Sequence, residues 1–117
     1  MGFDAEQLVL RHLRSKGLRP VTRNYRTRRG EIDLIMLDKD CLTFIEVRYR
    51  TSGSFVDARF TVDARKQKKI GTTAQMFLAR NAKFQNHTCR FDVVGVDRDP
   101  SGRVTIDWLQ DAFRPTG

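Results

Sequence analysis

The sequence predicts an α/β domain, one β-sheet with helices packed against it, in the order α-β-β-β-α-β-β. Three observations carry that expectation. Apolar residues recur at helical spacing after Asp4 and again after Asp63. Apolar runs of strand length and high β-propensity fill the stretches between and beyond them. No repeat, low-complexity tract or linker divides the 117 residues, so 1–117 reads as one domain with one modest core.

Asp4 is placed to cap the first helix and Gly17 to end it. Ala5, Leu8, Val9, His12 and Leu13 share one face, and Gln7, Arg11 and Arg14 share another. Residues 18–28 form an extended segment rich in arginine (Arg19, Arg23, Arg26, Arg28, then Arg29), closed by a turn at Gly30. Two strands follow, at 31–37 and 41–48. Residues 51–60 hold Ser, Gly and Asp without periodicity, which predicts a loop. Asp63 caps a second helix to about Asn81, with Ile70, Ala74, Phe77 and Leu78 on one face and Gly71 as a weak point. Residues 90–96 and 104–109 complete the sheet, joined by a turn at 97–102 that contains Pro100.

Charge narrows the partners. The 22 Lys and Arg outnumber the 14 Asp and Glu, for a net charge of +8. So basic a surface favours a polyanion, although a basic protein without such a partner fits the count equally. No amphipathic helix with an aromatic face suggests membrane-surface binding, and no apolar run is long enough to span a bilayer. The N-terminal residues show no signal pattern, and Glu6 stands where myristoylation wants Ser or Thr. Cys41 and Cys89 match neither a disulfide framework nor zinc spacing; reduced, buried thiols in a cytoplasmic protein are expected. Phosphate-loop, dinucleotide-loop and nucleophilic-triad patterns are absent.

The chemistry concentrates in the central hairpin. Lys39-Asp40 is not a preferred two-residue turn, but if the hairpin is symmetric Asp38 pairs with Cys41, which sets Asp33 opposite Glu46 and Glu31 opposite Arg48; a single bulge would shift this register by one. All four then project from one side of the sheet. Two carboxylates facing each other among Ile32, Leu34, Ile45 and Val47 repel, and burying them uncompensated costs several kcal/mol. A hard divalent cation with oxygen ligands turns that repulsion into coordination. Arginines offer a competing solution, with Asp33 paired to Arg26 or Arg28 and Glu46 to Arg48. Glu6 adds a third acid, because its helical neighbours Val9, Leu10 and Leu13 are apolar. It could equally serve the positive end of the helix dipole.

Glu6, then Gly30-Glu31-Ile32-Asp33-Leu34-Ile35, then Phe44-Ile45-Glu46-Val47-Arg48-Tyr49-Arg50 resembles the bacterial YraN-like family, described as endonucleases. Arg90-Phe91-Asp92-Val93-Val94 and Trp108 with Asp111-Ala112-Phe113 extend the likeness over nearly the whole chain. That family is similar to the restriction-endonuclease-like fold and to archaeal Holliday-junction resolvases. The resemblance implies a mixed β-sheet flanked by helices, with Glu6, Asp33 and Glu46 as ligands to Mg²⁺ or Mn²⁺. It implies hydrolysis of phosphodiester bonds in DNA, branched or structured DNA included, with Asp33, Glu46 and Arg48 catalytic. A homodimer would suit cleavage of two strands.

Arg48 stands where the nuclease motif carries lysine. A guanidinium cannot act as general base, though it can grip a phosphate bidentately. Lys66, Lys68 or Lys69 could supply a compact charge instead; for Lys68 a solvated basic face is the expectation. Gln67 shares the stripe of Ile70 and Ala74, where packing is expected. Arg23, Arg26, Arg28, Arg29, Arg50, Arg59, Arg65, Lys66 and Lys69 would contact nucleic-acid phosphates without reading sequence. The loop at 51–60 could close over substrate. Asp92 is expected in an ion pair with Arg90, Trp108 and Phe113 in packing, and His12 and His87 lack metal-spaced partners. The alternatives to a nuclease are a catalytically silent nucleic-acid-binding module and a protein-interaction domain with a basic surface.

Overall fold

A computed structural model of the protein describes residues 2–51 and 61–115. Helix α1 (Ala5–Ser15) is followed by strands β1 (Arg19–Thr27), β2 (Gly30–Asp38) and β3 (Cys41–Arg50). Helix α2 (Ala64–Arg80), a short 3-10 turn (Ala82–Phe84), and strands β4 (Thr88–Arg98) and β5 (Val104–Leu109) complete the chain. The five strands form one sheet in sequence order. Neighbours are antiparallel except β3 and β4, which are parallel and therefore need the long crossover that α2 provides. The fold is the mixed α/β sheet with flanking helices that the sequence predicts.

Local chemistry sets the helix ends. The Asp4 carboxylate accepts the Gln7 N–H (3.0 Å) and the Asp63 carboxylate accepts the Lys66 N–H (2.8 Å), each satisfying a donor that the first turn leaves open. Gly17 follows α1 with φ +98°, a conformation that favours glycine. No described helix is long and apolar enough to cross a membrane.

The sheet is buried on both faces. Val9, Leu13 and Leu18 pack on Leu34, Met36, Ile45, Val94 and Val96. On the other side Ile70, Ala74, Phe77 and Phe84 pack on Ile32, Ile35, Leu42, Phe44 and Val93. Phe84 comes from the 3-10 turn, which the helical period does not announce. Trp108 and Phe113 pack as expected against these two clusters.

Two expectations need correction. Cys41 and Cys89 are free thiols, but Cys41 is only half-buried and Cys89 is exposed, because each stands at the first residues of its strand, where the core ends. Glu31 does not face Arg48. It pairs with Arg26 across β1–β2 in register and by an ion pair of 2.9 Å. The reason is that the β2–β3 ladder, correct in register from Asp38–Cys41 inward, stops at Leu34–Ile45.

Candidate active site

The site lies where that ladder stops. Ile32 and Ile35 face α2 while Leu34 and Met36 face α1, so the two-residue alternation breaks at Asp33. Across β1, Asn24 takes the left-handed conformation with φ +51°, one that asparagine tolerates better than most residues. Beyond Leu34 the main-chain pairing is replaced by a side chain. Asp33 Oδ2 accepts the Val47 N–H at 2.8 Å, which satisfies the orphaned donor and fixes the carboxylate between the diverging strands.

Glu46 projects beside it. Its side chain is only 8% exposed, and among the described residues its ion-pair partner is Lys66, whose Nζ lies 3.9 Å away on the first turn of α2. Burial first, then the charge of Asp33 and the contact between the two carboxyls, push the Glu46 carboxyl up to about 8; Lys66 and Arg48 pull the other way. Like charges held this close share protons or cations rather than ionise together. Arg48 lies half-buried alongside, and its Nε–H is shielded from solvent without a hydrogen-bond partner among the described residues.

Glu6 reaches the same region from α1. Its carboxyl is raised by burial and then by Asp33, and lowered by Arg23. Arg23 Nη2 holds Glu6 at 3.7 Å and Asp4 at 3.8 Å, while Nη1 donates to Gln7 Oε1 at 2.8 Å. Among the described residues, no three Asp, Glu, His or Cys side chains close into a ready-made metal cage. Asp33 and Glu46 are brought together; Glu6 stands near Asp33 in the grip of Arg23.

The competing arginine scheme is not the arrangement found. Asp33 has no ion pair with a described residue, Arg26 serves Glu31, and the cation beside Glu46 is Lys66. Gln67 turns to the main chain, donating to the Val62 carbonyl at 3.0 Å, and does not join the site. Asp92 pairs with Arg90 as expected.

The basic residues divide into two groups. Arg23 ties α1 to β1, Arg26 meets Glu31, and Arg50 meets Asp97 at 3.2 Å. Arg28, Arg29, Arg65 and Lys69 gather with Lys68 and Thr72 around one depression. The sequence places Lys68 only on a solvated basic face and does not single out Thr72; the signal for both is the stripe 65, 68, 69 and 72, which follows helical spacing. Arg59 and most of the loop at 51–60 lie outside the described residues.

Fold and site together define a small α/β domain whose mixed sheet opens around a carboxyl pair, one member buried and one half-buried, flanked by cations. The family described as "Uncharacterised protein family UPF0102" matches residues 5–96. The chain belongs to the UPF0102 (YraN-like) family. It is 50% identical over 113 residues to a UPF0102 protein of Nitrosococcus oceani, covering 97% of this chain and 90% of that one. It is 42% identical over 112 residues to one of Pseudomonas syringae pv. syringae, covering 96% and 91%. The structure of Pyrococcus furiosus SfsA in complex with Ca²⁺ is similar in outline only. Identity is 9% and the TM-score 0.35 over 90% of this chain and 60% of that one, too loose to bear on the site.

Proposed function

We propose that the protein is a metal-dependent nuclease that hydrolyses phosphodiester bonds in DNA, including branched or structured DNA. The observation that carries this reading is the Asp33–Glu46 pair: two neighbouring carboxyls, one nearly inaccessible, with Lys66 3.9 Å away as its ion-pair partner among the described residues. Such a pair is costly as it stands and is relieved by a dication.

The donor set fits Mg²⁺ or Mn²⁺, since its atoms are hard carboxylate oxygens. Asp33 and Glu46 would hold the ion, with Glu6 as a third ligand once released from Arg23. When bound, the ion would polarise the scissile phosphate and acidify water. The chain's own residues do the rest. The Val47 N–H keeps Asp33 aimed into the opening. Arg48 offers guanidinium N–H groups to a phosphate, and Lys66 places a compact ammonium where charge develops. Lys66 thereby supplies from α2 the point charge that Arg48 cannot.

One observation favours the second reading, a silent nucleic-acid-binding module: the described residues do not preassemble three metal ligands. One experiment separates the two. The protein is incubated with labelled duplex, single-stranded and branched DNA, with Mg²⁺ or Mn²⁺, beside an Asp33→Ala control. Metal-dependent cleavage by the wild type alone supports the nuclease. Salt-sensitive binding without cleavage supports the module. We further propose that the protein works in the cytoplasm and that a homodimer presents two such sites.

A further inference from the structure

Five cations with no acidic partner among the described residues meet in one place. Arg28 and Arg29, in the turn between β1 and β2, and Arg65, Lys68 and Lys69, on α2, line a depression of about 380 Å³ with Thr72. The ion pairs of the described residues engage Arg23, Arg26, Arg50, Lys66, Arg90 and Arg114, and none of these five. Positions 65, 68, 69 and 72 form one stripe of the helix, so like charges are stacked where they repel.

The walls of the depression are held in place. Thr27 Oγ1 donates to the Gly30 carbonyl at 3.3 Å and accepts the Arg29 N–H at 3.0 Å, which shapes the turn. Gly30 lies so close to α2 that a Cβ there would stand 2.9 Å from Thr73 Oγ1. That hydroxyl is itself fixed on the Lys69 carbonyl at 2.8 Å. The turn is thus seated on the helix, and its two arginines face the helix's basic stripe as a preformed set.

We infer that this depression is a phosphate cradle that grips the backbone of a polynucleotide beside the point of cleavage. Its place relative to cleavage rests on the nuclease reading; the cradle itself does not. Lys66 faces Glu46, and Lys69 is three residues further along α2, about 4.5 Å along the helix axis. One strand can therefore lie across both. Phosphate is the group the chemistry selects: five donors of one sign, with a Thr hydroxyl and no acid.

Free phosphate offers the same chemistry, so the test has two arms. Binding of the full chain to labelled duplex DNA is measured without metal over a series of NaCl concentrations. The double variant R28S/R29S should flatten the slope of log K against log salt by about 1.8, the release expected from two lost contacts at 0.9 each. The variant R11S/R14S, altered on the exposed face of α1, should leave the slope as it is. Gly30→Ala changes no charge and should still weaken binding several-fold, because it levers the turn away from α2. Thermal melts show that each variant is folded. In the second arm, pyrophosphate is added to the wild type and to R28S/R29S.

An equal loss of slope in R11S/R14S would overturn the cradle in favour of a diffuse basic surface. A folded Gly30→Ala that binds as tightly as the wild type would overturn the preformed geometry. Pyrophosphate that stabilises only the wild type, with the DNA slope unchanged in R28S/R29S, would reassign the depression to a small anion. Cleavage without any dependence on Arg28 and Arg29 sinks the cradle alone, and binding through the cradle without cleavage sinks the nuclease alone.

Discussion

Two carboxylates on adjacent central strands are both buried, and their surroundings differ in kind. Asp92, on β4, is completely buried. Its oxygens accept from Arg90 Nε (2.9 Å) and Nη2 (3.1 Å), from Trp108 Nε1 (2.9 Å) and from the Asp111 main chain (2.9 Å). Glu46, on β3, is buried almost as deeply, but beside another carboxyl, with no hydrogen-bonded cation among the described residues and Lys66 at 3.9 Å. The first environment finishes the electrostatics inside the fold. The second leaves them to be finished by something outside it. A buried acid with its full complement of donors is structural, and the one facing a like charge is the one we propose to take a cation.

The largest expected contrast is between activity and stability. Asp33→Asn should lower cleavage by roughly 10³-fold or more, since it removes both a ligand and the anchor at the opened ladder. The same variant should melt close to the wild type, because relieving repulsion offsets the weaker bond to Val47. Asp92→Asn should do the reverse. Its amide sets N–H₂ against at least one N–H donor and leaves the half-buried Arg90 with Asp38 alone, costing about 3–5 kcal/mol. A chemical denaturation curve and a cleavage assay on both variants check the pair. Equal loss of stability in the two would erase the distinction drawn here.

The two sites were not equally legible in the sequence. The helices, the caps at Asp4 and Asp63, and the Asp38–Cys41 register follow from period and hairpin symmetry, and they carry Asp33 and Glu46 to the same end of the β2–β3 pair, although the ladder itself stops at Leu34–Ile45. The Arg90–Asp92 pair follows from two charges in an apolar strand. What pattern cannot show is a change of pattern. The break in alternation at Asp33 lies across from Asn24, which takes positive φ on the neighbouring strand, and nothing in the spacing of β2 signals it. Likewise Arg23 looks like a free surface cation until α1 lies across β1 and presents Asp4, Glu6 and Gln7 to it. Contacts between elements, unlike those within one, have no period to read.

The next difference is in pH. Glu46 has a folded pKa of about 8 against an ordinary 4.5, so the folded state binds its proton more tightly than the unfolded chain does. Its contribution to stability is full below about pH 4.5, declines as pH rises toward 8, and is lost above it. At its steepest the decline is about 1.4 kcal/mol per pH unit. Glu46→Gln cannot ionise, so in metal-free buffer its melting temperature should exceed that of the wild type increasingly from pH 5 to pH 8. Wild-type and variant curves that stay parallel across this range would show that Glu46 ionises without penalty. Added Mg²⁺ should raise the wild type's melting temperature at pH 8 more than the variant's, because the ion takes the place of the lost proton.

The smallest effect concerns the one acid whose allegiance is divided. Glu6 feels Asp33, yet its charge is met by Arg23 at 3.7 Å, a pair in which both side chains are about one-third exposed. Pairs so exposed contribute at most about 1 kcal/mol. Arg23→Gln keeps a hydrogen-bonding group beside Gln7 while removing the cation, and should cost little stability. It leaves the Glu6 carboxylate repelled by Asp33 with no counter-charge, so a dication at the pair gains a third oxygen. Metal affinity, read by Mn²⁺ titration in a calorimeter, should rise by a few-fold, and Glu6→Gln added to Arg23→Gln should remove the gain. If Arg23→Gln leaves the affinity unchanged, Glu6 belongs to the cap of α1 with Asp4, and the metal is held by Asp33 and Glu46 without it.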